Sequence, residues 1–143
     1  MTTAPLLQVR DLVIEYATSG YAVRPIDGLD LDGHAGELIV LLGPSGCGKT
    51  SLLSVLGGIL RPTAGTVRFG DLDVRELSGA GLADYRQRHV GFVFQAFNLI
   101  PSLNARENVA IPLIMAGLRR KAAMRRADEL LHRVGLGDRG HHR

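Results

Sequence analysis

The stretch GPSGCGKT occupies residues 43–50. Gly43, Gly48, Lys49 and Thr50 fill the fixed positions of a G-x-x-x-x-G-K-[ST] pattern. These residue types suit one task. Glycines let the chain curl so that successive backbone N–H groups converge, and converging N–H groups bind an anion. A helix starting at the lysine would turn its positive end to the same place. Lys49 adds a compact ammonium, and the Thr50 hydroxyl is a hard oxygen donor suited to Mg²⁺. With the chain's own content of glycine, lysine and hydroxyl residues, a chance match is expected well below about once in a hundred such chains. The pattern predicts a nucleoside triphosphate loop made of Gly43, Pro44, Ser45, Gly46, Cys47, Gly48, Lys49, Thr50 and Ser51. Cys47 fills a free position with no partner base in view, so no catalytic role is expected of it.

The flanks are the ones such a loop needs. AGELIVLLG (35–43) reads as a turn and then a short continuous apolar run, which predicts a strand buried on both faces. KTSLLSVLGGIL follows with apolar residues at helical spacing. Upstream, LLQVRDLVIEY (6–16) has strand composition with partial alternation, and residues 17–28, with Gly20, Pro25 and Gly28, read as a loop or turn. Downstream, RPTAGTVRFG (61–70) reads as a turn into a strand. SGAGLADYRQR (78–88) reads as a short helix capped by Ser78. HVGFVFQ (89–95) predicts a second buried strand. NAREN (104–108) opens another helix, with Asn104 as cap and Glu107 at the capping-box position. KAAMRRADELLHRVG (121–135) is an amphipathic helix. Ala123, Ala127, Leu130, Leu131 and Val134 share its apolar face, and Gly135 stops it.

At 143 residues the chain is about one domain long. Hydrophobic residues make up 45% and charged residues 22%, an ordinary globular balance. No apolar run is long enough to cross a membrane, and MTTAPLLQVRDLVIEY lacks the layout of a signal peptide. One cysteine excludes an internal disulfide framework and fits a reducing compartment. The net charge of +3 comes largely from Arg119, Arg120, Lys121, Arg125, Arg126 and Arg133. No aromatics interleave with them, so they read as a solvated helix face, and no nucleic-acid partner is expected. Of the 17 basic residues only Lys49 and Lys121 are lysine. Composition therefore did not place a lysine at position 49. His34, His89, His132, His141 and His142 lack companions at ligand spacing, so no metal site is read from them.

The whole pattern has a family likeness. GELIVLLGPSGCGKTSLLSVLGGILRPTAGTVRFGDLDV closely resembles the ATP-binding subunit of ABC transporters, and HVGFVFQAFNLIPSLNARENVAIPL is similar to that family's Q-loop strand and the segment after it. In detail the chain looks most like the bacterial subfamily serving lipoprotein release and macrolide or peptide export, on the strength of GILRPTAGTV, FQAFNLIPSLNARENV and VGLGDRGHHR. The resemblance implies an α/β fold, the ABC-type nucleotide-binding domain of the P-loop NTPases. It would comprise an antiparallel β start, a nucleotide-binding core over about 1–95 and a helical subdomain over about 96–143. It implies ATP and Mg²⁺ as ligands. Tyr16 falls where the family stacks an aromatic on adenine; a tyrosine merely closing a strand is the plainer reading. Gln95 falls on the glutamine that reaches Mg²⁺ and the attacking water; a polar residue ending a strand is its plainer reading. Ala96 to Leu103, with Phe97, Leu99 and Ile100, resembles the surface that meets a transmembrane permease, against local packing as the alternative.

The family normally continues into an LSGGQ signature, an apolar run ending in Asp-Glu, and a switch histidine, none of which is found here. The resemblance therefore implies the N-terminal part of a domain that pairs with a second ATP-binding subunit. On its own this part is expected to hydrolyse ATP negligibly and to expose apolar sheet edges. For the complete protein the expectation is an ATPase subunit in the cytoplasm, peripheral on the inner face of the membrane. Two other classes compete. A soluble ABC-type ATPase acting on nucleic acid or ribosomes is disfavoured by the compact spacing from Gly43 to Gln95 and the apolar stretch beyond it. A P-loop kinase would need an acceptor site and lid arginines.

Overall fold

The computed structural model describes residues 4–18 and 20–143, so the part of the 17–28 loop expectation at position 19 lies outside the described residues. The chain divides into two compact units, residues up to 92 and residues 93–143.

The first unit is built on a four-stranded antiparallel sheet. Its strands are β1 (Leu7–Thr18), β2 (Tyr21–Gly33), β3 (Ala64–Phe69) and β4 (Leu72–Asp73), in the order β2-β1-β3-β4. The partial alternation of the first strand has a physical cause. Strict alternation from Val9 would send Asp11 inward. The register shifts between Val9 and Leu12, Asp11 takes a positive φ of 48°, and its N–H donates to Asp30 Oδ1 at 2.7 Å. A bulge of this kind resets the alternation by one residue. Val9, Leu12 and Ile14 are therefore all buried. The loop expected over 17–28 is a correction: β2 begins at Tyr21 and runs through Pro25 and Gly28. Proline is tolerated there because β2 is an edge strand, where a missing N–H need not face a neighbour.

One face of the sheet carries the core. Helix α1 (Lys49–Leu56) buries Leu52 and Val55 against Val9, Leu12, Ile14, Ile26 and Val67. Full burial of an aliphatic side chain of this size is worth about 1.5–3 kcal/mol. Helix α2 (Gly79–His89) adds Tyr85, whose ring meets Phe69 edge-on at 6.1 Å and whose hydroxyl donates to the Leu56 carbonyl at 2.7 Å. Burial pushes the Tyr85 phenol pKa up. Ser78 stands at the N-cap of α2 but its side chain makes no capping bond, which corrects the expected cap.

Two expected strands are absent. Leu38–Leu42 and Val90–Phe94 join no ladder among the described residues. Leu38 and Leu42 are each 87% exposed and Val93 is 99% exposed. An apolar run becomes a buried strand only where another strand supplies the other half of each hydrogen bond. The four strands of the sheet bond to one another, and neither run is a member of their ladders.

The second unit is helical. Helix α3 (Ala105–Met115) starts with a complete capping box. The Asn104 side chain accepts from the Glu107 N–H at 2.9 Å, and the Glu107 carboxylate accepts from the Asn104 N–H at 3.0 Å. Helix α4 (Arg120–Arg133) turns Ala123, Ala127 and Leu131 inward, with Ala110 of α3 buried in the same unit. Val134, expected on that face, is 68% exposed, because the helix has ended and Val134 is its C-cap. Gly135 follows at φ 75° and the chain reverses, with Leu136 N–H reaching back to Leu131 O at 2.8 Å. A short 3-10 turn, Gly137–Arg139, closes the unit.

Candidate functional site

The loop 43–48 leads directly into α1, with Gly48 as its N-cap. Gly48 adopts φ 94°, and a Cβ built there would lie 2.9 Å from the Pro25 carbonyl oxygen and 3.0 Å from Ile26 Cγ1. Both the dihedral and the space exclude a side chain. A glycine N-cap has no side chain to accept from the first-turn N–H groups, and the first N–H groups of any helix lack intrahelical acceptors. The start of α1 thus offers donors and the positive end of its dipole.

Lys49 turns back over the loop. Its Nζ donates to Gly43 O at 2.8 Å and Pro44 O at 2.7 Å, and lies 3.4 Å from Cys47 Sγ. The ammonium is thereby held over the curl formed by Gly43–Gly48, within reach of anything seated on the loop's N–H groups. Thr50 is exposed on the first turn of α1. Ser51 is the next residue, and its Oγ accepts from the Tyr16 hydroxyl at 2.9 Å. Tyr16 itself is 42% exposed, on the stretch of β1 that follows the buried Ile14. The fold therefore gathers Tyr16 and Gly43–Ser51 within the first unit. A cavity of about 540 Å³ opens beside the loop, lined by Pro25, Asp27, Val40, Leu42, Cys47 and Lys49 among others.

Gln95 belongs to the second unit, where it is exposed at a bend. The segment after it is shaped by Asn108. The Asn108 amide donates to Ile100 O, Leu103 O and Asn104 O at 3.2, 3.1 and 3.0 Å, and its Oδ1 accepts from Ile100 N–H at 2.8 Å. This fixes the turn 100–104 while leaving Phe97 85% exposed and Leu99 and Ile100 exposed. Sequence reading missed the organising role of Asn108; an amide one turn beyond a helix cap was the available signal. It also missed the Tyr16–Ser51 hydrogen bond, which no spacing in the chain announces.

The ABC transporter family profile matches residues 26–143. The chain belongs to the ABC transporter family. An ABC transporter ATP-binding protein of Mycobacterium tuberculosis, itself described as uncharacterized, is 61% identical over 137 residues, covering 96% of this chain and 42% of that protein. The macrolide export ATP-binding/permease protein MacB of Escherichia coli is 42% identical over 135 residues, covering 94% of this chain and 21% of that protein. The post-hydrolysis dimer of the ATP-binding cassette MJ0796, bound to ADP and Pi, superposes with a TM-score of 0.89 at 30% identity, over 96% of this chain and 61% of that one. The chain thus spans less than half the length of these curated relatives. The ABC fold expected from the sequence is the fold found. No helix among the described residues is long and apolar enough to cross a membrane.

Proposed function

We propose that residues 43–51 hold the phosphates of ATP and that the protein containing this chain is the ATPase of an export-type ABC transporter. The observation that carries this is the Lys49 ammonium folded over the loop onto the Gly43 and Pro44 carbonyls. Phosphate oxygens are stronger acceptors than carbonyls and would compete for the same donors. In this reading the N–H groups of Gly46 to Ser51 cradle the phosphates, and Tyr16 stacks on the adenine. Thr50 would hold Mg²⁺. It presents a neutral side-chain oxygen, which suits a cation that takes few protein ligands and keeps its waters. Bound there, Mg²⁺ would neutralise charge on the phosphates during transfer.

Export, or lipoprotein release, is inferred from the likeness to MacB, whose name couples ATP binding to a permease. The exposed apolar segment Ala96–Leu103 is proposed as the permease contact, which would place the protein on the cytoplasmic face of the membrane. The dimer seen for MJ0796 supports pairing of two such subunits around ATP. A signature motif is absent from these 143 residues, so hydrolysis by this chain alone is expected to be negligible.

Titration of the chain with Mg·ATP by calorimetry tests the reading. Binding by the unsubstituted chain is expected, with at least about a ten-fold loss in Lys49→Ala, since a charge-assisted contact is removed. Equal affinity in the two proteins would overturn the assignment.

A further inference from the structure

We propose that Ser51 is a positioning residue for the base: its Oγ, accepting from the Tyr16 hydroxyl, ties the end of β1 to the first turn of α1, so that the aromatic platform and the phosphate loop form one preassembled unit. The inference rests on the ATP reading given above and adds to it a residue acting through another.

The geometry is specific. The bulge at Arg10–Asp11 places Leu12 and Ile14 on the core side, and a further register shift falls between Ile14 and Tyr16. The backbone just before Tyr16 is anchored from two sides. Thr63 N–H donates to Val13 O at 2.8 Å, and Glu15 N–H donates to Thr63 Oγ1 at 2.9 Å. The Glu15 carboxylate pairs with Arg24 of β2 across the hairpin. Backbone anchoring leaves χ1 and χ2 of Tyr16 to be set by its own contacts. The ring is 42% exposed, so packing holds only part of it. The 2.9 Å hydrogen bond to Ser51 supplies the remaining restraint at the far end of the ring. A ring held before the ligand arrives spares the rotamer freedom that binding would otherwise remove. Ser51 sits two residues beyond Lys49, on the helix whose N-terminus faces the loop, so the restraint fixes the ring relative to the phosphate site.

The test compares Mg·ATP with inorganic tripolyphosphate, which has no base, on five proteins: the unsubstituted chain, Tyr16→Phe, Ser51→Ala, the double substitution, and Ser51→Thr. Tyr16→Phe keeps the ring and removes the hydroxyl. The expected result is a loss of ATP affinity of about three- to ten-fold in Tyr16→Phe, the usual range for one hydrogen bond. Tripolyphosphate affinity should be unchanged in that variant. The double substitution should cost no more for ATP than Ser51→Ala alone, and Ser51→Thr, which restores a hydroxyl, should recover the unsubstituted affinity. The chain has no tryptophan, so quenching of tyrosine emission by the stacked base gives a second readout. It should be weaker in Ser51→Ala at saturating ATP. Unchanged ATP affinity in Tyr16→Phe, or additive losses in the double substitution, would overturn the tether while leaving the ATP site intact. Failure of the unsubstituted chain to bind either ligand would overturn both.

Discussion

A methyl group on Gly48 would lie 2.9 Å from the Pro25 carbonyl oxygen, on a residue already at φ 94°. Neither neighbour can yield easily, since one is backbone and the other a buried isoleucine. Gly48→Ala is therefore expected to lower stability by about 1–3 kcal/mol, read as a fall in the urea midpoint, and to distort the lysine's approach to the loop. Glu37 gives a residue-scale pH prediction. The His34 backbone N–H donates to its carboxylate at 2.7 Å, and the His34 ring adds a second contact. These hold the Glu37 pKa below its ordinary value of 4.5, with the backbone bond the larger cause. A depressed carboxylate adds stability above its unfolded pKa and loses it as pH falls through the lower folded one. The chain should lose this small contribution only below about pH 4.5, and Glu37→Gln should flatten the pH dependence of unfolding there. Following the Glu37 carboxyl carbon by NMR would check it; a titration midpoint at or above 4.5 would contradict the contact.

At the scale of elements, the two helices of the second unit rest on different forces. α3 begins with both halves of a capping box, and Asn104→Ala should cost about 1 kcal/mol by removing one of them. α4 depends on its narrow inner stripe, where Ala123 and Ala127 are fully buried and Leu131 nearly so. Leu131→Ala should cost about 2–4 kcal/mol through lost transfer and an unfilled space. If thermal melts show the Asn104 change to be the larger, this division of labour is wrong. The arginines on the outer face of α4 make exposed ion pairs, such as Arg126 with Glu129 at 2.8 Å, which contribute little. The capping box was legible because its residue types and three-residue spacing are local. The Asn108 turn was less legible because its acceptors are three different carbonyls chosen by the path of the chain.

At the scale of the whole molecule, the two apolar runs without ladders dominate behaviour. Leu38, Val40, Leu42 and Val93 present large apolar surfaces, and among the described residues they join no ladder. Exposed strand-forming runs recruit other chains. The 143-residue chain should associate in a concentration-dependent way, and Val40→Lys with Val93→Lys should suppress this without lowering helix content. Light scattering and far-ultraviolet dichroism would show it. A monodisperse monomer at about 0.1 mM, well within the range where such edges associate, would refute the prediction.

Local patterns in the sequence determined the glycine-rich loop, the helix after it, the capping box and the stop at Gly135, because each rests on contacts within about one or two turns of chain. They also carried the family likeness. The tertiary structure alone decided what depends on distant partners. Pro25 sits in a strand because β2 is an edge. Leu38–Leu42 and Val90–Phe94 stay outside the sheet because strand formation needs a neighbour, whatever the composition of the run. Tyr16 meets Ser51, 35 residues away, because a bulge at Asp11 resets the face on which the ring emerges. Helical and turn signals are local in physics and so in sequence; pairing and register belong to the assembled sheet.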